Sequence, residues 1–151
     1  MNDDDSAGRA RHSALRLLAR REHSQYELRR KLKARGYGER LVDELLAELI
    51  TERLLSDTRY AEAMVTNRAS RGYGPLRICM ELRDRGVAEG IVDKVLQEAE
   101  VDWEERLRHT YDRKYGGIAV ESFKTWASRA QFLNNRGFSV DAIRRVIGNY
   151  G

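Results

Sequence analysis

Three Arg-Gly pairs divide this chain almost evenly. Arg35-Gly36, Arg85-Gly86 and Arg136-Gly137 lie 50 and 51 residues apart. Their surroundings repeat with them. Leu32, Leu82 and Leu133 stand three residues before the arginine, and Val42, Val92 and Ile143 seven after it. Leu45, Val95 and Val146 follow at ten, opening the matching pairs Leu45-Leu46, Val95-Leu96 and Val146-Ile147. A period near 50 residues implies a fold of tandem units, each too small to bury a full core alone. Such units present an extended surface and do not enclose a catalytic pocket.

The apolar spacing inside each repeat is three and four, as in Leu28-Leu32, Ile78-Leu82 and Val42-Leu45-Leu46-Leu49, which is the period of a helix. No long period-two alternation marks a strand. Each repeat therefore reads as three helices, and the chain as all-α, three tandem three-helix repeats stacked into an elongated, curved rod. The expected helices are 9–22, 25–35 and 40–53; 58–71, 75–85 and 89–100; and 103–115, 123–136 and 140–149. Residues 1–8 read as a disordered acidic tail, followed by repeats over 9–55, 56–101 and 102–151. Ser24 to Glu27 reads as a capping box, and Asp102 to Glu105 has the same shape. Asp57, Ser122 and Ser139 are expected single caps. Gly36, Gly72, Gly86, Gly116 and Gly137 are expected helix stops. Pro75, the chain's one proline, suits a first helical position, where its missing N–H costs nothing.

Charge is uneven. Residues 9–40 hold 11 Lys/Arg against 3 Asp/Glu, a net of +8, whereas residues 41–151 hold 17 against 18. A concentrated positive field attracts phosphate backbones or acidic protein surfaces. Arg20, Arg21, Arg29, Arg30, Lys31, Lys33 and Arg35 are the expected contact residues in this block. Arg129, Arg136, Arg144 and Arg145 form a second expected cluster. The aromatics at core-facing and junction positions (Tyr60, Tyr73, Trp103, Tyr111, Trp126, Phe132 and Phe138) read as packing residues. Tyr37 and Tyr73, each beside a glycine, are the ones expected to be most exposed.

Catalytic chemistry finds little support. There is no Gly-x-x-x-x-Gly-Lys-Ser/Thr loop and no Gly-x-Ser-x-Gly elbow. His12, His23 and His109 are scattered, and one cysteine, Cys79, cannot complete a zinc site with them. Tyr111 among arginines would need several cations on one phosphate to act as a nucleophile, which no motif indicates. No enzyme, cofactor or metal is expected. No apolar run spans a membrane, the Met-Asn-Asp-Asp-Asp opening lacks the features of a signal peptide, and a single cysteine fits a reducing compartment. A cytoplasmic protein is expected.

The most specific text is in the second repeat: Asp57-Thr58-Arg59-Tyr60-Ala61, then Gly74-Pro75-Leu76-Arg77-Ile78 with Glu81-Leu82. This resembles the RecX family of bacterial regulatory proteins, whose hallmark is Asp-x-Arg-Tyr-Ala followed by Gly-Pro-x-Arg-Ile-x-x-Glu-Leu. The segments Ala14-Leu15, Leu18 to Ser24, Glu27-Leu28 and Lys31-Leu32 are similar to the family's first repeat. Arg129-Ala130, Phe132-Leu133 and Arg136-Gly137-Phe138 are similar to its third. The resemblance covers about residues 10–148. It implies a non-enzymatic regulator in DNA repair, homologous recombination and the SOS response. The implied partner is the RecA filament on single-stranded DNA, bound along its groove. Its ATP hydrolysis, strand exchange and co-protease activity would be suppressed by blocked growth or by disassembly. A monomer is expected, with direct DNA contact through the basic face as a further contact.

The hallmark residues also have architectural readings, which are preferred here. Asp57 would cap the helix beginning at Thr58, Tyr60 and Ala61 would pack, and Arg59 and Arg77 would pair with Glu81 or cap carbonyls. A sequence-independent DNA-binding protein is the alternative function, because paired helices with tight glycine turns resemble helix-turn-helix units. Near-neutral second and third repeats, and sparse Asn and Gln on the helices, weigh against base readout. A plain helical scaffold is the third reading.

Overall fold

The computed structural model describes residues 3–149, which form nine helices and no strand. In order they are α1 (Asp3–Arg20), α2 (Gln25–Ala34), α3 (Glu39–Thr51), α4 (Asp57–Ser70), α5 (Pro75–Asp84), α6 (Glu89–Glu98), α7 (Trp103–Tyr115), α8 (Phe123–Asn135) and α9 (Val140–Ile147). Three helices follow each other in every repeat, as the spacing predicts. The first helix differs: it begins at Asp3, so positions 3–8 are helical where the charge pattern predicted disorder. Acidic residues at a helix N-terminus complement its partial positive charge, which favours this early start. Met1 and Asn2 lie outside the described residues.

Helix ends follow local chemistry. The Ser24 hydroxyl accepts from the Glu27 N–H at 3.1 Å while a Glu27 carboxylate oxygen accepts from the Ser24 N–H at 3.3 Å, completing the capping box. Asp102, Ser122 and Ser139 each accept from the backbone N–H three residues on. Asp57 departs from expectation. Ser56 caps α4, its hydroxyl accepting from the Arg59 N–H at 3.2 Å. The Asp57 carboxylate instead accepts from the Gln25 N–H at 2.8 Å, satisfying a free donor in the first turn of α2. One aspartate thus ties the start of the fourth helix to the start of the second.

The chain gathers into two compact units. One comprises the residues up to Ala63 with Leu82–Val95; the other comprises Met64–Glu81 with the residues from Leu96 on. The middle repeat contributes to both. In the first unit α1, α2 and α3 pack pairwise over Ala10, Ala14, Leu28, Leu32, Val42 and Leu49, all fully buried. In the second, α7, α8 and α9 close over Leu107, Leu133, Phe138 and Ile143.

The Arg-Gly turns have a shared geometry. After α2, the Gly36 N–H bonds the Lys33 carbonyl and the Tyr37 N–H reaches back to Leu32; after α5, Gly86 and Val87 do the same with Arg83 and Leu82. Both glycines have positive φ, +93° and +75°. They differ in surroundings. A Cβ on Gly36 would meet nothing within 4 Å, whereas one on Gly86 would lie 2.6 Å from the Tyr26 Cβ. Alanine at Gly36 should therefore cost only the left-handed strain, about 1 kcal/mol. Alanine at Gly86 adds a clash against α2 and should cost about 2–4 kcal/mol in all. Thermal unfolding of the two variants, followed by circular dichroism, measures the difference; equal losses would refute the close packing at Gly86.

Candidate partner and nucleic-acid interface

The basic block is less exposed as a charge than its sequence suggests. Helix α3, which starts inside the block at Glu39, and Glu52 just after it bring acids to it. Arg11 pairs with Glu52 at 2.6 Å, Arg29 with Asp43, Lys33 with Glu39 at 3.9 Å and Arg40 with Glu44 at 3.2 Å. Arg21 pairs with Glu27 at 2.8 Å. The net of +8 over residues 9–40 therefore overstates the field, because Asp43, Glu44, Glu48 and Glu52 pair with its cations from outside that window. Surface pairs of this kind contribute little stability but reduce the local field.

Glu27 is the hub of a buried network. Its carboxylate is 5% exposed and accepts from Arg21 at 2.8 Å and from Arg85 at 3.0 Å, besides the Ser24 N–H. Beside it, His23 is almost wholly buried. The Lys31 ammonium lies 2.9 Å from its Nε2, and its Nδ1 lies 3.1 Å from the Arg21 carbonyl oxygen. An ammonium only donates, so Nε2 is the acceptor and Nδ1–H donates to the carbonyl, which describes a neutral imidazole. Lys31 is therefore partly committed inward; burial and the nearby arginines lower its pKa.

Of the remaining expected contacts, Arg30 is exposed, 5.7 Å from the centre of the Tyr26 ring. Arg20 and Arg35 are exposed and border one hollow with His12 and Arg16.

The second expected cluster does not assemble. Arg129 is buried at 5% exposure, donating to the Tyr111 hydroxyl at 2.7 Å and the Ile118 carbonyl at 2.9 Å. Its guanidinium lies 4.6 Å from the centre of the Tyr115 ring. It holds α7, α8 and the intervening loop together and is no contact residue. Arg145 pairs with Glu104 at 2.6 Å, and Arg144 is exposed. Arg136 is half-buried and donates to the Arg71 carbonyl at 3.2 Å. Tyr73, expected in the open, carries the guanidinium groups of Arg77 and Arg136 at 4.4 and 4.6 Å, and Tyr37 is half-buried against the first core. Arg136 also borders a hollow with Arg71, Arg113 and Lys114. Those three lie in repeats that are near neutral on average, where charge along the sequence gives no signal.

The hallmark residues make contacts within the protein. Tyr60, Ala61, Ile78 and Leu82 are buried. Arg59 pairs with Glu22 at 3.0 Å and not with Glu81; Glu81 receives Arg68 at 2.7 Å and Arg77 at 3.4 Å. Gly74 permits a backbone approach: its N–H bonds the Arg136 carbonyl at 2.7 Å, and the next N–H in the chain, that of Leu76, bonds the Gly137 carbonyl at 3.0 Å. A Cβ on Gly74 would fall 2.5 Å from the Gly137 oxygen. Pro75, with no N–H to place, sits between these two donors. Among the described residues no group of His, Cys, Asp and Glu is arranged to hold a metal, and no helix is long and apolar enough to cross a membrane.

Two predictions follow from these buried groups. Burial lowers the His23 pKa below its ordinary 6.5 despite the bond to the Arg21 carbonyl. For Glu27 burial raises the pKa, but the Arg21 bonds and charge outweigh it, leaving it below 4.5. Both groups have folded values below unfolded ones. Each contributes stability that is present above its unfolded pKa and is lost as pH falls through the folded value. Urea unfolding should show stability declining below about pH 6.5 and again below about pH 4.5. His23→Gln should remove the upper phase only; an unchanged upper phase would exclude His23 as its source. Arg129→Ala should cost about 3 kcal/mol through the lost hydrogen bonds and ring contacts. A melting temperature within a degree or so of the parent would contradict its structural role.

The three repeats match the family models for the first, second and third three-helix domains of RecX, over residues 10–49, 56–96 and 100–147. The regulatory protein RecX of Ectopseudomonas mendocina is 46% identical over 137 residues, covering 91% of each chain. That of Halorhodospira halophila is 45% identical over 145 residues, covering 95% of this chain and 90% of the relative. The crystal structure of RecX from Lactobacillus salivarius superposes with a TM-score of 0.77 at 22% identity, covering 95% of this chain and 96% of that one, which shows the shared fold. With all three domains in order and relatives this similar along nearly their whole length, the chain belongs to the RecX family of regulatory proteins.

Proposed function

We propose that this chain is a non-enzymatic negative regulator of the RecA recombinase. It binds the RecA filament on single-stranded DNA and lowers its ATPase, strand-exchange and co-protease activities by blocking growth or promoting disassembly. The supporting observation is the complete set of three family domains, in order, over residues 10–147. Tandem repetition suits a partner that is itself a repeating polymer, since several weak contacts along it add up to a firm one. Exposed cations without acidic partners, Arg20, Arg30 and Arg35 in the first repeat and Arg144 in the third, are the proposed contact residues.

A DNA-binding protein without a recombinase partner is the second reading, favoured by the acid-free hollows around Arg35 and Arg136. RecA's single-strand-dependent ATPase separates the two. The full chain, titrated below one molecule per RecA protomer at two salt concentrations, should inhibit at both. Inhibition only at DNA-coating amounts, abolished by moderate salt, would replace the regulator reading with the DNA-binding one.

A further inference from the structure

We propose that the first and third repeats each carry a phosphate-binding cleft for a nucleic-acid backbone, built on one helix signature and closed by the arginine of an Arg-Gly turn. The signature is His-Ser/Thr-x-x-Arg. It reads His12-Ser13-Ala14-Leu15-Arg16 on α1 and His109-Thr110-Tyr111-Asp112-Arg113 on α7, 97 residues apart. That interval differs from the 101 residues between Arg35 and Arg136, so the match is out of register with the repeat and is visible only once the helices are placed. Histidine and arginine four apart share a helix face.

In the first repeat, His12, Ser13 and Arg16 line a hollow of about 210 Å³ with Arg20 and Arg35. In the third, His109, Thr110 and Arg113 line one of about 460 Å³ with Arg71, Lys114 and Arg136. Arg35 and Arg136 are equivalent residues of the repeat. Among the described residues no carboxylate lines either hollow, and Asp5 borders an adjoining one that shares His12 and Ser13. Among the described residues no ion pair joins Arg16, Arg20, Arg35, Arg71, Arg113, Lys114 or Arg136 to an acid, in contrast to Arg11, Arg29 and Arg40 nearby in sequence. The middle repeat serves as an internal comparison. Fifty residues on from His12 and Arg16 stand Glu62 and Thr66, so it carries no such cleft.

Guanidinium groups present forked donors that match phosphate oxygens. The Ser13 hydroxyl and the imidazole N–H groups add further donors; the Thr110 hydroxyl is already committed to the Arg106 carbonyl at 2.8 Å. Each cleft is open to solvent and weak alone. A ligand bearing the same anionic group at every step can enter either cleft without any sequence requirement. Phosphodiester oxygens run along the whole backbone and need no fixed side-chain geometry, which suits open arginine clusters, so the backbone of a single strand is the proposed occupant.

The test is fluorescence anisotropy of a labelled oligothymidylate, about 40 nucleotides long, with the full chain between about 50 and 300 mM salt. Arg16→Ala combined with Arg113→Ala removes one exposed cation from each cleft. The expected result is at least tenfold weaker binding near 0.1 M salt and a salt slope flattened by about 1.4, or about 0.7 per lost phosphate contact. Affinity and slope within twofold of the parent would overturn the proposal. So would an equal loss from Arg40→Ala with Arg83→Ala, which removes the same charge elsewhere and would reveal a diffuse field. Inorganic phosphate is titrated as competitor: variants that lose its binding but keep the oligonucleotide would mark a free-phosphate site and refute the backbone reading. Variants that bind oligonucleotide normally but lose DNA-free RecA would assign the clefts to an acidic protein surface instead. If the alanine pair loses helicity, Arg16→Lys with Arg113→Lys keeps the charge and loses the fork; weaker binding at an unchanged slope is then expected, and parent-like affinity would refute the cleft. RecA is absent from the main arm, so this inference and the regulator reading can fail separately.

Discussion

The starts of α2 and α5 each receive the Arg-Gly turn of the repeat that follows, and this close approach is the contact on which the architecture depends. In one compact unit Gly86 rests against the Tyr26 side chain, and Arg85 reaches the buried Glu27 carboxylate. In the other, Gly74 and Gly137 approach until the Gly74 and Leu76 N–H groups bond the Arg136 and Gly137 carbonyls. A side chain at Gly74, Gly86 or Gly137 would collide with the facing segment. The contact also uses donors that a helix N-terminus leaves unpaired, which makes it directional as well as close. Two of the three Arg-Gly pairs, Arg85-Gly86 and Arg136-Gly137, thus form joints, whereas among the described residues nothing packs closely on Gly36.

The polar groups around these joints explain the family hallmark in physical terms. Asp57 supplies an acceptor to the first turn of α2, Arg59 pairs with Glu22, and Glu81 gathers Arg68 and Arg77. Each residue links helices from different parts of the sequence. A buried acid with one partner would carry a desolvation cost; with two cations and a capping donor, Glu27 stays ionised and fixes the local geometry. The same logic places Arg129 inside the protein, where two oxygen acceptors and an aromatic ring replace the water it gives up.

Surface charge is then what remains after the joints and ion pairs have taken their share. The first repeat carries the largest basic excess in sequence, yet much of it is met by acids of α3. The third repeat is near neutral in sequence, yet its Arg113, Lys114 and Arg136, with Arg71 of the second repeat, line a hollow with no acid among the described residues. Counting charge along a chain misplaces the field because helices three or four residues per turn separate neighbours and join strangers.

The local rules were legible in the amino-acid sequence alone. Apolar residues at three-and-four spacing specified the helices, Ser24, Asp102, Ser122 and Ser139 their starts, and the Arg-Gly pairs their stops, because each depends on interactions within a few residues. The period of 50 and 51 residues specified three repeats, and the hallmark segments pointed to the family. The destinations of long side chains were not legible. That Asp57 caps α2, that Arg129 is buried, and that His12 and His109 share a setting despite an interval of 97 residues follow only from which helices meet. An arginine reads the same in sequence whether its partner is a carboxylate, a ring or solvent. Tertiary packing decides which of these is within reach of its flexible stem.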